Sequence, residues 1–272
     1  KHALVAGAFA PAALRRGWAS RAPRFGIGLW LALSVSWLAA VVPAILAVAA
    51  PFPLTWPGSH PGGGISVTPH TAPGVMAAGG AGLLLAAAVL ARAGGCVACG
   101  LARSRRERRE HAAFLHAAGR PDQALGAVIL DQDAPAAYCL PGRRHCIVVT
   151  AGTLAALGPG QLLAVLAHER AHLRGRHHLL LAIASALSRA FPFVPLLAEA
   201  GTQVAVLAEM AADDQAARRH HPADLAAALV TLATARSRAA VLTAGRPGTS
   251  GSPGSPLAPP RWPSRPPSPA SH

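Results

Sequence analysis

The sequence predicts a mostly α-helical, membrane-embedded protein, with transmembrane helices first and then an α+β core holding a small β-sheet. Three observations predict this. Apolar residues make up 52% of the chain and charged residues only 13%, well under the roughly 25% charge usual in soluble domains. Long uncharged runs fill the first hundred residues, and short strand-like and helical patterns follow them. A pair of histidines four apart, His168 and His172, then sits in a helical setting that can hold a metal.

Residues 3–14 are apolar but short of the roughly 20 residues a span needs. They read as the tail of a truncated first transmembrane helix, because the basic cluster Arg15, Arg16, Arg21 and Arg24 follows the apolar stretch, the reverse of a signal peptide. Residues 26–50 carry no charge, include Trp30 and Trp37, and are long enough to cross a bilayer with some tilt. Residues 51–74, rich in Gly and Pro and also uncharged, read as an extracytoplasmic loop. A second span over about 75–95 leads to the basic run Arg103-Ser104-Arg105-Arg106-Glu107-Arg108-Arg109. Arginines therefore flank the paired spans on one side, which the positive-inside rule makes cytoplasmic. Residues 1–100 form the membrane region. The net charge of +14 is accounted for by these flanks, and with no aromatic interleaving or recognised module it does not indicate nucleic-acid binding.

Residues 101–245 read as a cytoplasm-facing catalytic domain. It opens with a basic, water-exposed helix over about 101–120. Short apolar runs at 125–130 and 136–140, the turn Pro141-Gly142-Arg143-Arg144, and Cys146-Ile147-Val148-Val149-Thr150 predict a small sheet with a hairpin. Cys139 and Cys146 flank that turn and can face one another, but reducing cytoplasm predicts free thiols. Cys96 and Cys99, with no second pair, read as small residues lining a helix end. Pro159 suits the first turn of a helix running to about 176. Residues 179–199 are apolar but broken at Phe191-Pro192-Phe193-Val194-Pro195, which predicts two short helices in a membrane-associated hairpin. Further helices are predicted over about 203–219 and 223–242, and residues 246–272 form a disordered Gly/Ser/Pro tail.

In His168-Glu169-Arg170-Ala171-His172 both imidazoles project from one helix face, so they can bind one ion, with Glu169 displaced to hold a water beside it. The pattern is expected only about 0.01 times by chance in a chain of this composition. A catalytic zinc needs a third protein ligand and an open position. Glu209 is the best third ligand, with Asp214 or Glu199 as fallbacks. Asp213, one turn beyond Glu209, suits a carboxylate that holds the second ring nitrogen of a zinc-bound histidine, and His168 is assigned as its partner. Glu169 then takes a proton from the attacking water and passes it to the leaving amine of a peptide. Tyr138, His220 and Arg218 are candidates for stabilising the oxyanion. The adjacent pairs His177-His178 and His220-His221 lie at predicted helix ends, where solvent or the helix dipole accounts for them.

The runs Ala136-Ala137-Tyr138-Cys139-Leu140-Pro141-Gly142 and Ile147-Val148-Val149-Thr150-Ala151-Gly152, the segment Leu166 through His172, and Glu209-Met210-Ala211-Ala212-Asp213 together resemble the integral-membrane gluzincins of the BlaR/MecR signal-transducing type. The HtpX-like heat-shock proteases share the same core pattern. The resemblance spans about residues 101–222 closely and implies a zincin-like core with one Zn2+ held by His168, His172 and Glu209, and Glu169 as the base. It also implies that the strand at Tyr138, Cys139 and Leu140 borders the cleft and receives an extended peptide. The expected activity is therefore a zinc-dependent, multi-pass membrane endopeptidase. Its partners are the lipid bilayer and a cytoplasmic or membrane-proximal protein substrate, such as a transcriptional repressor. The core is followed here by the Gly/Ser/Pro tail instead of a penicillin-binding sensor domain and last span. The alternative reading is a non-catalytic membrane signalling or scaffold protein with a structural zinc site.

Overall fold

The computed structural model describes residues 21–49, 73–142 and 145–244. The predicted helix over 3–14, residues 51–72 of the predicted loop over 51–74, turn residues Arg143 and Arg144 and the tail over 246–272 lie outside the described residues, and residues 73 and 74 of that loop instead begin a helix.

Two long apolar helices open the described chain, α1 (Pro23–Ala49) and α2 (Pro73–Ala118). They close on the two predicted spans, with one difference. The second predicted span and the basic helix after it are a single helix, because nothing between residues 95 and 101 breaks it. At about 1.5 Å per residue, the 46 residues of α2 reach roughly twice the thickness of a bilayer's hydrocarbon core. Its far half is braced on its exposed surface by Arg103–Glu107 and Arg106–Glu110 pairs at 3.0 and 2.8 Å, spaced one turn apart.

The end of α2 runs into a four-stranded mixed sheet. Its strands are β1 (Gly119–Asp122), β2 (Ala127–Leu130), β3 (Ala137–Leu140) and β4 (Cys146–Thr150), in the order β1-β2-β4-β3. The hairpin β3–β4 is antiparallel and β2 runs parallel to β4. Strand β1 falls where the sequence predicts the end of a helix: a Cβ at Gly119 would strike Val128 and the Leu115 carbonyl, so this residue permits the chain's close turn from helix to sheet. Side chains alternate between two faces. Leu130, Tyr138, Leu140 and Val148 pack on Phe114 and Leu115 of α2. Ala127, Cys139, Ile147 and Val149 pack on the opposite side. The register pairs Leu140 with Cys146 and Cys139 with Ile147. Cys139 and Cys146 therefore lie on opposite faces instead of facing each other, and all four cysteines are free thiols.

A short helix α3 (Ala151–Ala156) leaves β4 through a buried knot in which the Thr150 and Thr153 hydroxyls bond one another at 3.0 Å and both reach the Ala136 carbonyl. The next helix, α4 (Pro159–Arg174), starts on Pro159 with the Gln161 side chain accepting from the Gly158 N–H at 3.0 Å, which satisfies one of the donors a helix start leaves open. Leu166 of α4 packs on the sheet, while Val165, Ala164 and Ala167 pack on the last helix α7 (Pro222–Ala244) and on Ala216. Residues from Ala164 to His168 are all buried.

Between α4 and α7 lie α5 (His177–Ala190) and α6 (Pro195–Ala217). The predicted break at Phe191–Pro195 is present, but α6 is continuous where the sequence predicts two helices, since a single Gly201 between Glu199 and Gln203 is tolerated inside a helix. Helices α1, α2, α5 and α6 form one bundle. Ile27 and Trp30 of α1, Ala93 of α2, Ala184 and Leu187 of α5, and Leu197, Val204 and Ala208 of α6 belong to one buried cluster. At the start of α1 the Arg24 guanidinium donates to Gln215 Oε1, near the end of α6, at 2.7 Å. Further along, Trp37 stacks on Phe191 with ring centroids 5.9 Å apart. The α5–α6 hairpin therefore lies alongside α1 with its tip near the helix midpoint. Arg92, inside the apolar part of α2, donates to the Ala190 carbonyl at 2.6 Å, where a helix C-terminus welcomes a cation.

Trp30 is 1% exposed, though its Nε1 has no partner among the described residues. Trp30→Ala is expected to cost about 3–5 kcal/mol in thermal or denaturant unfolding in detergent. Trp30→Phe is expected to cost less, because it also removes an unsatisfied buried donor. Equal stability of Trp30→Ala and wild type would contradict the packing of α1 on α6.

Candidate metal centre

On α4, residues four apart share a face, and α6 faces the second half of the helix, where His168 and His172 lie. His168 and His172 are each 4% exposed, and their Nε2 atoms stand 3.0 Å apart. Glu209 of α6 brings Oε2 to 3.7 Å from His168 Nε2 and Oε1 to 3.6 Å from His172 Nε2. Among the described residues these three form a cluster whose donor atoms all lie within 4.8 Å of one another.

The donor set fits zinc. Bonds of 2.0–2.1 Å at tetrahedral angles put ligand atoms roughly 3.3 Å from each other, and the observed separations of 3.0, 3.6 and 3.7 Å bracket that value. Two imidazole lone pairs and a carboxylate oxygen facing one another repel, and a cation between them removes the repulsion.

The second nitrogen of each ring is also engaged. Nδ1 of His168 lies 3.0 Å from Asp213 Oδ1. The pair is within hydrogen-bond distance though poorly aligned, and neither atom has another partner among the described residues. Nδ1 of His172 lies 2.9 Å from Nδ1 of His177. Burial resists a charge on His168, but Asp213, Glu169 and Glu209 outweigh it and raise its pKa. At His172, burial and then the neighbouring rings of His168 and His177 push the pKa down to about 2, so this ring is neutral with a lone pair to give.

Glu169 points away from that face toward the sheet, where its carboxylate lies beside Cys139. Burial raises the Glu169 pKa, against the opposing effects of His168 and Cys139. Burial also raises the pKa of the Cys139 thiol, and Glu169 adds to the rise. Strand β3 is the sheet's outer strand on this side, paired only with β4. The loop before β2 is tied to the same helix by Arg170, which donates to the Leu125 carbonyl at 2.6 Å.

Several sequence-derived candidates lie elsewhere. Asp214 is exposed and lines a cavity with Arg21, Arg24 and Arg218, and Glu199, about 15 Å up the helix from Glu209, bonds to Gln203. Tyr138 points to the other face of the sheet, where its hydroxyl meets His111 Nε2 at 2.7 Å. It is on the wrong side to stabilise an oxyanion beside Glu169, because adjacent strand residues face opposite ways. Arg218 is exposed at the end of α6, and His220 follows it, about three turns past Glu209. His221 accepts from the Ala223 N–H at the start of α7. His177 corrects the sequence reading most: it is buried against His172, not solvated. The available signal was Gly175-Arg176, a turn that can fold the next residue back onto the helix.

A helix with paired histidines, an intervening glutamate and a carboxylate from a second helix is the arrangement of a metallohydrolase. The chain belongs to peptidase family M48, whose family model matches residues 101–250, so it is a metallopeptidase of a zinc-dependent family. No curated protein and no solved structure matches the chain.

The placement of Cys139 is testable by labelling. A maleimide is expected to leave Cys139 unmodified at neutral pH in the folded protein and to modify it in guanidinium, whereas exposed Cys99 reacts in both. Rapid modification of Cys139 in the native state would contradict its position behind Glu169.

Proposed function

We propose that this metallopeptidase is a multi-pass membrane endopeptidase of the BlaR/MecR-like kind, more distantly akin to the HtpX-like proteases, with its site on the cytoplasmic side. The observation that carries the catalytic reading is the convergence of His168, His172 and Glu209 beside Glu169 and an open strand edge.

In this reading His168, His172 and Glu209 hold the zinc ion and Asp213 orients His168. When bound, the ion supplies Lewis acidity to the scissile carbonyl and makes water a better acid. The chain's own residues do the rest. The outer edge of β3, at Tyr138, Cys139 and Leu140, is the side turned away from β4, where an extended peptide docks as an added strand. A water attacking the scissile carbonyl forms the new C–O bond and gives its proton to Glu169. As the C–N bond breaks, Glu169 hands that proton to the departing amine. A partly buried carboxylate with a raised pKa suits both halves of this exchange.

Support for a membrane location comes from α1 and α2. Both are long and apolar enough to cross, and they display Val35, Val48, Met76, Leu83, Leu84 and Leu90 to their surroundings. Large exposed apolar surface of this kind needs lipid or a partner. Arg21 and Arg24 at the start of α1 and the arginines after the apolar part of α2 sit on the same side, which supports a cytoplasmic site. The substrate is then a cytoplasmic or membrane-proximal protein, such as a transcriptional repressor. Helices α5 and α6 belong to the same bundle as α1 and α2.

Glu169→Gln in the purified, detergent-solubilised chain is expected to keep one zinc per chain and lose peptide cleavage by at least about 100-fold. Glu209→Gln is expected to weaken zinc retention on dialysis against a chelator. Undiminished cleavage by Glu169→Gln would refute the assigned base, and zinc without turnover in the wild type would favour a scaffold.

A further inference from the structure

His172 turns Nε2 toward His168 and Glu209. A neutral imidazole carries a single ring proton, so if Nε2 is to offer its lone pair, Nδ1 must hold the proton and donate it. The group that faces Nδ1 is His177, 2.9 Å away, with the two rings perpendicular and their centroids 4.9 Å apart. His177 is itself 4% exposed.

The backbone is shaped to put it there. Helix α4 ends at Arg174, and the Gly175 N–H still bonds the Ala171 carbonyl at 2.8 Å. Arg176 then adopts φ 48°, the sole positive φ outside glycine among the described residues, a conformation that L side chains adopt at a cost. Helix α5 starts directly after it, at His177. A Cβ on Gly175 would collide with the His177 ring. Gly175, Arg176 and His177 thus act together: one residue makes room, one turns the chain left-handed, and the third lays its ring on His172.

We propose that His177 is a positioning residue that fixes His172 as the Nδ1-protonated tautomer, the counterpart of Asp213 at His168. His172 Nδ1–H donates to Nδ1 of His177, which places the His177 proton on its own Nε2. The two ligand histidines are consequently backed by different chemistry, one by a carboxylate and the other by a neutral imidazole acceptor. Such outer partners orient a ligand ring and hold it in its binding form. The inference rests on the zinc reading above.

The test compares His177→Phe, which keeps an aromatic ring and removes the acceptor, with His177→Asn, whose Oδ1 stands where the imidazole Nδ1 stood. Zinc affinity of the full chain in detergent is measured by competition with a chromophoric chelator. His177→Phe is expected to bind about 10- to 100-fold more weakly than wild type, and His177→Asn to recover to within a few-fold. Wild-type affinity in His177→Phe, or equal loss in both variants, would overturn the role. Should His177→Phe fail to fold, 15N-histidine NMR of the metal-free wild type decides: His172 protonated at Nδ1 supports the proposal, and protonated at Nε2 refutes it. That spectrum is informative even if the wild type binds no zinc, an outcome that would count against the peptidase reading separately.

Discussion

The structure depends on holding two imidazole nitrogens and one carboxylate at a single point inside a protein. Buried polar atoms are costly unless each has a partner, and Nε2 lone pairs 3.0 Å apart repel unless a proton or a cation lies between them. Much of the surrounding fold serves that constraint. Helix α4 is enclosed by the sheet, α6 and α7, so its histidines cannot swing into solvent. Their outer nitrogens are met by Asp213 and His177, so their rings have little freedom to turn.

Helix α6 links this centre to the bundle it forms with α1, α2 and α5. Its first half is buried with Trp30 and Ile27 of α1 and with α5, while Glu209 and Asp213 sit on its second half. Glu209 is therefore carried on a rod whose other end is packed among the apolar helices. A change in how α1 and α2 sit around α6 would be felt at Glu209 within a few turns. Helix α2 makes a second link, since it ends under the sheet, where Phe114 and Leu115 support the face of β3 and β4 that looks away from the metal centre.

Where the chemistry repeats at helical spacing, the sequence was legible. His168 and His172 one turn apart, and Glu209 and Asp213 one turn apart, predicted two facing helices, and the geometry brings all four together. The long apolar helices and the hairpin of β3 and β4 were likewise readable from length and turn residues. What escaped depends on contacts between elements distant in sequence or on local backbone shape. The side of the sheet taken by Tyr138 follows from a register that pairs Cys139 with Ile147, and no local pattern sets that register by itself. His177 looked like a solvated helix-end residue because its burial needs the left-handed turn at Arg176. Strand β1 and the unbroken α2 and α6 were missed because helix ends are weakly written in a chain so rich in alanine.

The central claim is that one zinc ion is held by two imidazoles and a carboxylate. X-ray absorption at the zinc edge of the purified, zinc-loaded chain tests it most directly. The expected spectrum has a four-coordinate shell of nitrogen and oxygen near 2.0–2.1 Å with the multiple scattering of two imidazole rings. A sulfur shell near 2.3 Å, or a spectrum with no imidazole scattering, would contradict the account.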